Sequence, residues 1–302
     1  MHFGFLNVLK PAGLTSQQVV QRVKKKTGKI KIGHTGTLDP LATGVLPLCL
    51  GPATRLAEYV SNMGKKYRAQ LQLGIETDTY DREGSVIAET TASHITGEMI
   101  VLALQTFEGQ IMQVPPMFSA IKRQGKPLYE LARQGIVVER EARPVEIYQI
   151  KLAKIEQLGS DHPLVEIEVH CSKGTYIRSL VHDLGQKLGT GAVMTALERT
   201  EVGIFNLKNG LALEELEEMD GDQIKDYLFS VEQVFPDWPV VIVSAEEARK
   251  VENGNRINLP YTKTFPDQAE RILLCNQQGR LLAVAKSIEN GHLQPVIVFR
   301  EG

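Results

Sequence analysis

The sequence predicts an α+β protein in which a larger mixed domain precedes a small β-rich one. Three observations carry that expectation. Residues 65–74 and 164–171 alternate apolar and polar side chains with the two-residue period of a half-buried strand. Residues 16–27 and 175–189 instead repeat apolar side chains with the period of a helix. Near Pro236 to Pro239 the composition changes: the single tryptophan, Trp238, lies between two prolines directly after an acidic stretch, and about sixty residues of short strands around one helix follow.

Taken in order, Phe3 to Leu9 reads as a strand stopped by Lys10-Pro11-Ala12-Gly13. Thr15 and Gln18 form a capping box, Val19, Val20 and Val23 share one face, and Gly28 ends a helix from about Ser16 to Thr27. Val45 to Leu50 is an apolar, strand-like run, and Pro52 to Asn62 reads as a helix with Leu56, Tyr59 and Val60 on its apolar side. In the next strand Tyr67, Ala69, Leu71 and Leu73 face inward. A turn at Asp81 to Gly84 makes Ser85 to Glu89 the return strand of a long hairpin. A helix from about Gly97 to Phe107 ends at Gly109, Val114 to Ser119 is extended, a short helix spans Pro127 to Gln134, and residues 136–158 read as strands. Val165, Ile167 and Val169 face inward from Leu164 to Cys171. Thr175 then caps a helix whose buried face is Ile177, Leu180, Val181, Leu184 and Leu188, ending at Gly189. Past Trp238, Val240 to Val243 is a strand, Ser244 and Glu247 open a helix that stops near Gly254, and Arg271 to Asn276, Leu281 to Ala285 and Val296 to Phe299 are three more strands.

At 302 residues, 42% hydrophobic and 23% charged, the chain suits a globular protein with a sizeable core. No apolar run approaches a membrane span and the N-terminus does not read as a signal peptide, so a cytoplasmic protein is expected. Cys49, Cys171 and Cys275 are scattered, with no CxxC, and the seven histidines lack metal-ligand spacing, so neither a disulfide framework nor a metal site is expected. The net charge of −2 hides an asymmetry. Before Asp39 stand seven bases and no acid (Lys10, Arg22, Lys24, Lys25, Lys26, Lys29 and Lys31), while residues 201–237 carry ten acids against two bases. A local basic face on a near-neutral protein follows.

The chemistry concentrates in 31–55, KIGHTGTLDPLATGVLPLCLGPATR. Glycines there permit unusual backbone, and Pro40 keeps Asp39 out of the helical region, so the Asp39 side chain is aimed by covalent geometry. A lone carboxylate in basic surroundings, between Leu38 and Leu41, is a candidate nucleophile or base. Arg178 falls in the first turn of the 175–189 helix, where a cation opposes the helix dipole and calls for a carboxylate partner. Lys122, Arg123, Lys126 and Arg133, with Tyr129, form a basic segment with an aromatic suited to RNA.

Four segments, GHTGTLDPLATGVLPLCLG, KYRAQLQLGIETDTYD, PPMFSAIKRQGKPLYELAR and CSKGTYIRSLVHDLG, together resemble the TruB family of bacterial tRNA pseudouridine synthases, in the family's order over most of residues 5–205. The resemblance implies a catalytic domain over 1–237, with a mixed, largely antiparallel sheet flanked by helices and an RNA-binding insertion at 119–143. It implies a PUA-like RNA-binding domain over 238–302. It also implies isomerisation of one uridine to pseudouridine in the T loop of tRNA, at the position numbered 55 by convention, with no cofactor or metal; a short chain without long charged extensions argues against a guide RNA, and a monomer is the default expectation. On that likeness Asp39 is the nucleophile of the family's GxxGxLDPxAxG motif, Arg178 its partner, and Tyr67 the residue that packs on the flipped base and joins in proton removal. His34 helps fill the space left by that base, and Gly36, Thr37 and Leu38 belong to the same substrate-binding loop. Leu197 and Arg199 match a pocket-lining motif commonly LRRT in the family, where this chain has Glu198.

The bases at 22–31 and 122–133 are the expected tRNA footprint, since phosphate contacts would offset the few kcal/mol, roughly, of turning a base out of its stack. Three rivals stand beside this reading: a glycoside-cleaving hydrolase, a non-catalytic RNA-folding protein, and a guide-RNA-dependent relative. A glycosidase usually uses a pair of carboxylates, and on this reading no second acid sits in these motifs.

Overall fold

The computed structural model describes residues 3–28, 30–123, 125–258, 270–288 and 291–299. The first part of the chain runs β1 (Gly4–Lys10), α1 (Ser16–Thr27), β2 (Ile32–His34), β3 (Thr43–Leu50), α2 (Ala57–Ser61), β4 (Lys65–Leu73), β5 (Ile75–Thr77) and β6 (Val86–Glu89). It continues through α3 (Gly97–Gln105), β7 (Gly109–Gln113), β8 (Lys122–Arg123), β9 (Lys126–Pro127), α4 (Leu128–Arg133), β10 (Arg143–Glu156), β11 (Leu164–Cys171), α5 (Ile177–Leu188) and β12 (Ala192–Val202). Short elements then close the large sheet: β13 (Phe205–Asn206), β14 (Leu211–Ala212), α6 (Leu213–Glu218), β15 (Leu228–Phe229) and α7 (Val231–Val234).

Among the described residues that sheet has eleven strands, with the order β14-β1-β3-β12-β4-β11-β10-β7 and with β2, β13 and β15 beside it. The β1–β14 and β3–β12 pairs are parallel and the other pairs antiparallel, which is the mixed, largely antiparallel α+β sheet expected. Along β4 the side chains of Tyr67, Ala69, Leu71 and Leu73 are buried, and they meet Val19, Val20 and Val23 of α1, Ile100 and Leu104 of α3, and Leu180, Val181 and Leu184 of α5 in one core. Each such aliphatic side chain contributes about 1.5–3 kcal/mol on leaving water.

The other face of β1 and β3 is covered as well. Phe5, Val45 and Cys49 pack with Phe205, Val234 and Phe235 and with Leu273, Val284 and Phe299 from the chain's end. That end forms a five-stranded sheet, from β16 (Val240–Ile242), α8 (Ala245–Glu252), β17 (Ile257–Asn258), β18 (Ile272–Cys275), β19 (Leu281–Ile288) and β20 (His292–Val298), in the order β16-β18-β19-β20-β17. Strands β1 and β3 are therefore buried on both faces, and the loop that joins β2 to β3 rises from rigid ground.

The capping boxes at Thr15/Gln18 and Ser244/Glu247 form as their spacing predicts. Other expectations change. Val86–Glu89 does not return along β4; it pairs with the three residues of β5, because β4 is occupied by β11 on one side and β12 on the other. Residues 52–62 begin as a 3₁₀ turn before α2. Thr175 does not cap α5: its hydroxyl donates to Ser172 O at 3.0 Å, and Tyr176 is the N-cap without a side-chain bond. The Trp238 ring stacks on Phe235 at 4.0 Å between centroids and meets Tyr59 edge-on.

Gly44 shows how tightly β3 is seated. Its φ is +95°, and a Cβ there would lie 2.3 Å from Arg199 O on the neighbouring strand. Gly44→Ala is expected to cost about 2 kcal/mol or more in urea denaturation, from strained φ and strand separation together. Wild-type stability in that variant would contradict this packing.

Candidate active site

Asp39 lies in the loop between β2 and β3, and the backbone on both sides of it is stapled to the start of the chain. Before it, the Ser16 hydroxyl accepts from Leu38 N–H at 2.8 Å and donates to Leu38 O at 3.2 Å. After it, Pro40 O accepts from Gly13 N–H at 2.8 Å and from Lys10 Nζ at 3.1 Å. Ala42 N–H closes the turn on Asp39 O at 3.0 Å, and the side chains of Leu38 and Leu41 are buried. Lys10 is itself fully buried, and burial pushes its ammonium down to about 8. A side chain on such a loop has little freedom to miss its partner.

That partner is Arg178, in the first turn of α5 as the helix-dipole argument requires. Arg178 Nε reaches Asp39 Oδ2 at 2.9 Å and Nη2 reaches Oδ1 at 3.0 Å, a two-pronged pair. The rest of the guanidinium faces Phe118 O at 2.8 Å, Thr79 O at 3.3 Å and Asp81 Oδ2 at 3.4 Å. Arg178 is 4% exposed, whereas the Asp39 side chain keeps 32% of its surface open. Burial pushes the Asp39 carboxyl above its ordinary range; Arg178 pulls it back down and Asp81 pushes it up again.

Asp81 is the residue that sequence reasoning missed. It is a second, buried carboxylate, held by the Thr79 hydroxyl at 2.7 Å and Glu83 N–H at 3.1 Å. It stands inside the KYRAQLQLGIETDTYD segment, but only the fold brings it to Arg178, so the expectation of no second acid is corrected. One cation thus serves two carboxylates.

Tyr67 and Arg199 form an adjoining wall. They are opposite each other in the β4–β12 register and both are buried. Burial raises the phenol above its ordinary value, so Tyr67 is a neutral group at neutral pH. Arg199 Nε donates to Val45 O at 2.7 Å and Nη2 to Gly36 O at 3.1 Å, which makes it a strut between the loop and β3. His34, on β2, is partly buried; burial and nearby Arg199 lower its pKa, leaving the imidazole neutral. Leu197 is buried and Thr37 exposed. Glu198 faces away, 3.6 Å from Arg68 on the outer side of the sheet, so its departure from the family motif does not touch the Asp39 pocket.

Lys122, Arg123, Lys126 and Arg133 stand apart from Asp39, exposed on the β8–β9 hairpin and α4. The Arg133 guanidinium covers the Tyr129 ring at 5.5 Å, and Arg123 donates to Glu139 O. The basic stretch at 22–31 is only partly free. Arg22 pairs with Glu217 at 3.4 Å and Lys26 Nζ reaches Met219 O at 3.4 Å, because α6 of the acidic stretch packs on α1. Lys24, Lys25 and Lys31 are exposed, and Lys29 lies outside the described residues.

Residues 24–177 match the model of the TruB family pseudouridylate synthase N-terminal domain, and 178–235 match that of the tRNA pseudouridylate synthase B C-terminal domain. The chain belongs to the TruB family. A protein of Clostridium tetani named tRNA pseudouridine synthase B is 43% identical over 290 residues, 95% of this chain and 96% of that one. Another of that name, from Dehalococcoides mccartyi, is 41% identical over 297 residues, 98% and 96% of the two chains. The crystal structure of a Cbf5–Nop10–Gar1 complex contains a chain that superposes with a TM-score of 0.71 at 26% identity, over 99% of this chain and 84% of that one. The TruB fold, with its C-terminal PUA-like sheet, is thus the frame that carries the Asp39–Arg178 pair.

Replacing Arg178 by Met leaves Asp39 and Asp81 facing each other without a cation. About 3 kcal/mol of stability is expected to be lost near pH 7. Without Arg178 to pull it down, the folded-state Asp39 carboxyl rises further above its unfolded value, so stability falls as pH rises through that window and the deficit is smaller at pH 5 than at pH 8. Urea denaturation at the two pH values checks this; an equal deficit at both would contradict it.

Proposed function

We propose that this TruB-family chain isomerises uridine to pseudouridine in tRNA, at position 55 in the T loop, with the Asp39 carboxylate as the attacking group. The observation that carries the reading is the two-pronged Arg178–Asp39 pair on a stapled loop, beside buried Tyr67. The reaction breaks the C1′–N1 glycosidic bond, rotates the uracil, joins C5 to C1′ and removes the C5 proton. Attack at C6, attack at C1′ and removal of a sugar proton all require an ionised, aimed carboxylate, and Arg178 favours that form. Tyr67 packs on the flipped base and takes part in the final proton removal, while Leu197 and Arg199 shape the pocket and His34 helps fill the space left in the stack.

The chain divides, on this reading, into a catalytic unit over 1–237 with an RNA-binding insertion at 119–143, and a PUA-like unit over 238–302 that also contacts RNA. Lys122, Arg123, Lys126, Arg133, Lys24, Lys25 and Lys31 meet tRNA phosphates. The enzyme works in the cytoplasm as a monomer, without a cofactor or guide RNA; relatives over 40% identical along nearly the whole chain carry the tRNA synthase name. Asp81 does not revive the hydrolase reading, because its carboxylate is 6% exposed and engaged by Arg178 and Thr79.

Purified protein incubated with an unmodified tRNA transcript is expected to yield pseudouridine at the one T-loop uridine, with Asp39→Asn slower by at least about 10³-fold. Pseudouridine mapping reads both. Release of free uracil, or equal activity of Asp39→Asn, would overturn the reading. Charge reversal at Lys122, Arg123 and Lys126 together is expected to weaken tRNA binding and flatten its salt dependence. Unchanged affinity in a filter-binding titration would remove the insertion from the footprint.

A further inference from the structure

The segment Glu76–Asp81, which supplies two of the acceptors around Arg178, crosses α5 along one line. Arg178, His182 and Gln186 are spaced four apart and so share one side of the helix. Gln186 Nε2 donates to Glu76 Oε2 at 2.7 Å, and His182 Nδ1 lies 3.7 Å from the same oxygen. One turn nearer the site, the Tyr80 ring lies flat on the His182 imidazole, 4.0 Å between centroids and 11° from parallel. Tyr80 has a φ of +64°, a left-handed conformation that bulky residues rarely adopt; among the described non-glycine residues only Gln157 shares it. This reversal lets both neighbours of Tyr80, the Thr79 carbonyl and the Asp81 carboxylate, face one guanidinium. Behind it, Tyr80 O accepts from Met194 N–H at 3.1 Å and Arg82 N–H donates to Met194 O at 3.0 Å, which ties the turn to β12.

We propose that Tyr80, clamped on His182, is a positioning residue for the isomerisation: it holds the left-handed turn that aims Thr79 O and Asp81 at Arg178, and through Arg178 orients Asp39. The proposal rests on the reading of Asp39 as the attacking carboxylate. Glycine adopts this backbone at lower cost, so the backbone alone does not account for a tyrosine here. The stacked ring does, because it ties the turn to the helix that carries Arg178.

The test measures the single-turnover rate of pseudouridine formation on bound tRNA transcript, with tRNA affinity measured alongside. Tyr80→Gly is expected to slow the chemical step about tenfold while affinity stays within about twofold, and Tyr80→Phe, which keeps the stack, is expected to match the wild type. His182→Ala, which leaves the strained backbone untouched, is expected to slow the step in the same direction, and it decides the matter if Tyr80→Gly does not fold. In an Asp81→Asn background Tyr80→Gly is expected to add clearly less than tenfold, since one of the two groups it aims has lost its charge. Wild-type rates in Tyr80→Gly and His182→Ala, or the full tenfold loss retained in the Asp81→Asn background, would overturn the proposal. A wild-type protein that forms no pseudouridine would instead overturn the functional reading beneath it.

Discussion

A guanidinium taken out of water must be paired, and the pairing of Arg178 organises this molecule. Leaving a charge buried and unmatched costs several kcal/mol, about the size of a domain's whole stability. The fold meets that demand with acceptors drawn from separate parts of the chain: Asp39 from the β2–β3 loop, Thr79 and Asp81 from the segment after β5, and Phe118 from the extended stretch after β7. Each acceptor ties another piece of chain to α5. The stretch leading into residues 119–143, the β2–β3 loop and the Glu76–Asp81 turn are therefore held in one register by one side chain.

The same arrangement keeps the Asp39 carboxylate fixed and partly open to solvent. Burial alone would raise its carboxyl, and a fully solvated pair would let the side chain wander. Here Arg178 opposes the effect of burial, while part of the carboxylate remains open. The loop contributes the rest, through Ser16 on Leu38 and through Gly13 and Lys10 on Pro40. Three residues of the first sixteen thus position a side chain that their own sequence does not announce.

Local rules were legible in the sequence, and long-range ones were not. The capping boxes at Thr15 and Ser244 and the inward face of β4 depend on neighbours within a few residues, so spacing reveals them. The need of Arg178 for a carboxylate was also readable, because a cation in a first helical turn is unfavourable by itself. Asp81 was not, since nothing in TDTYD says which cation it will meet 97 positions later. The β5–β6 pairing failed for the same reason: alternation shows that β4 is a strand but not that β11 and β12 take both its edges. In the basic stretch, residue type alone hid the partners of Arg22 and Lys26, which come from the acidic stretch on α6 and just beyond it.

The central claim is that Arg178 holds a partly open Asp39 carboxylate in its ionised form. Carbon-13 NMR titration of aspartate-labelled protein, with Asp39 assigned by its loss in Asp39→Asn, measures this directly. The account expects Asp39 to titrate above the ordinary aspartate value near 3.8 in the wild type and higher again in Arg178→Lys, whose ammonium cannot make the two-pronged contact. An Asp39 whose titration does not move up in Arg178→Lys would contradict it.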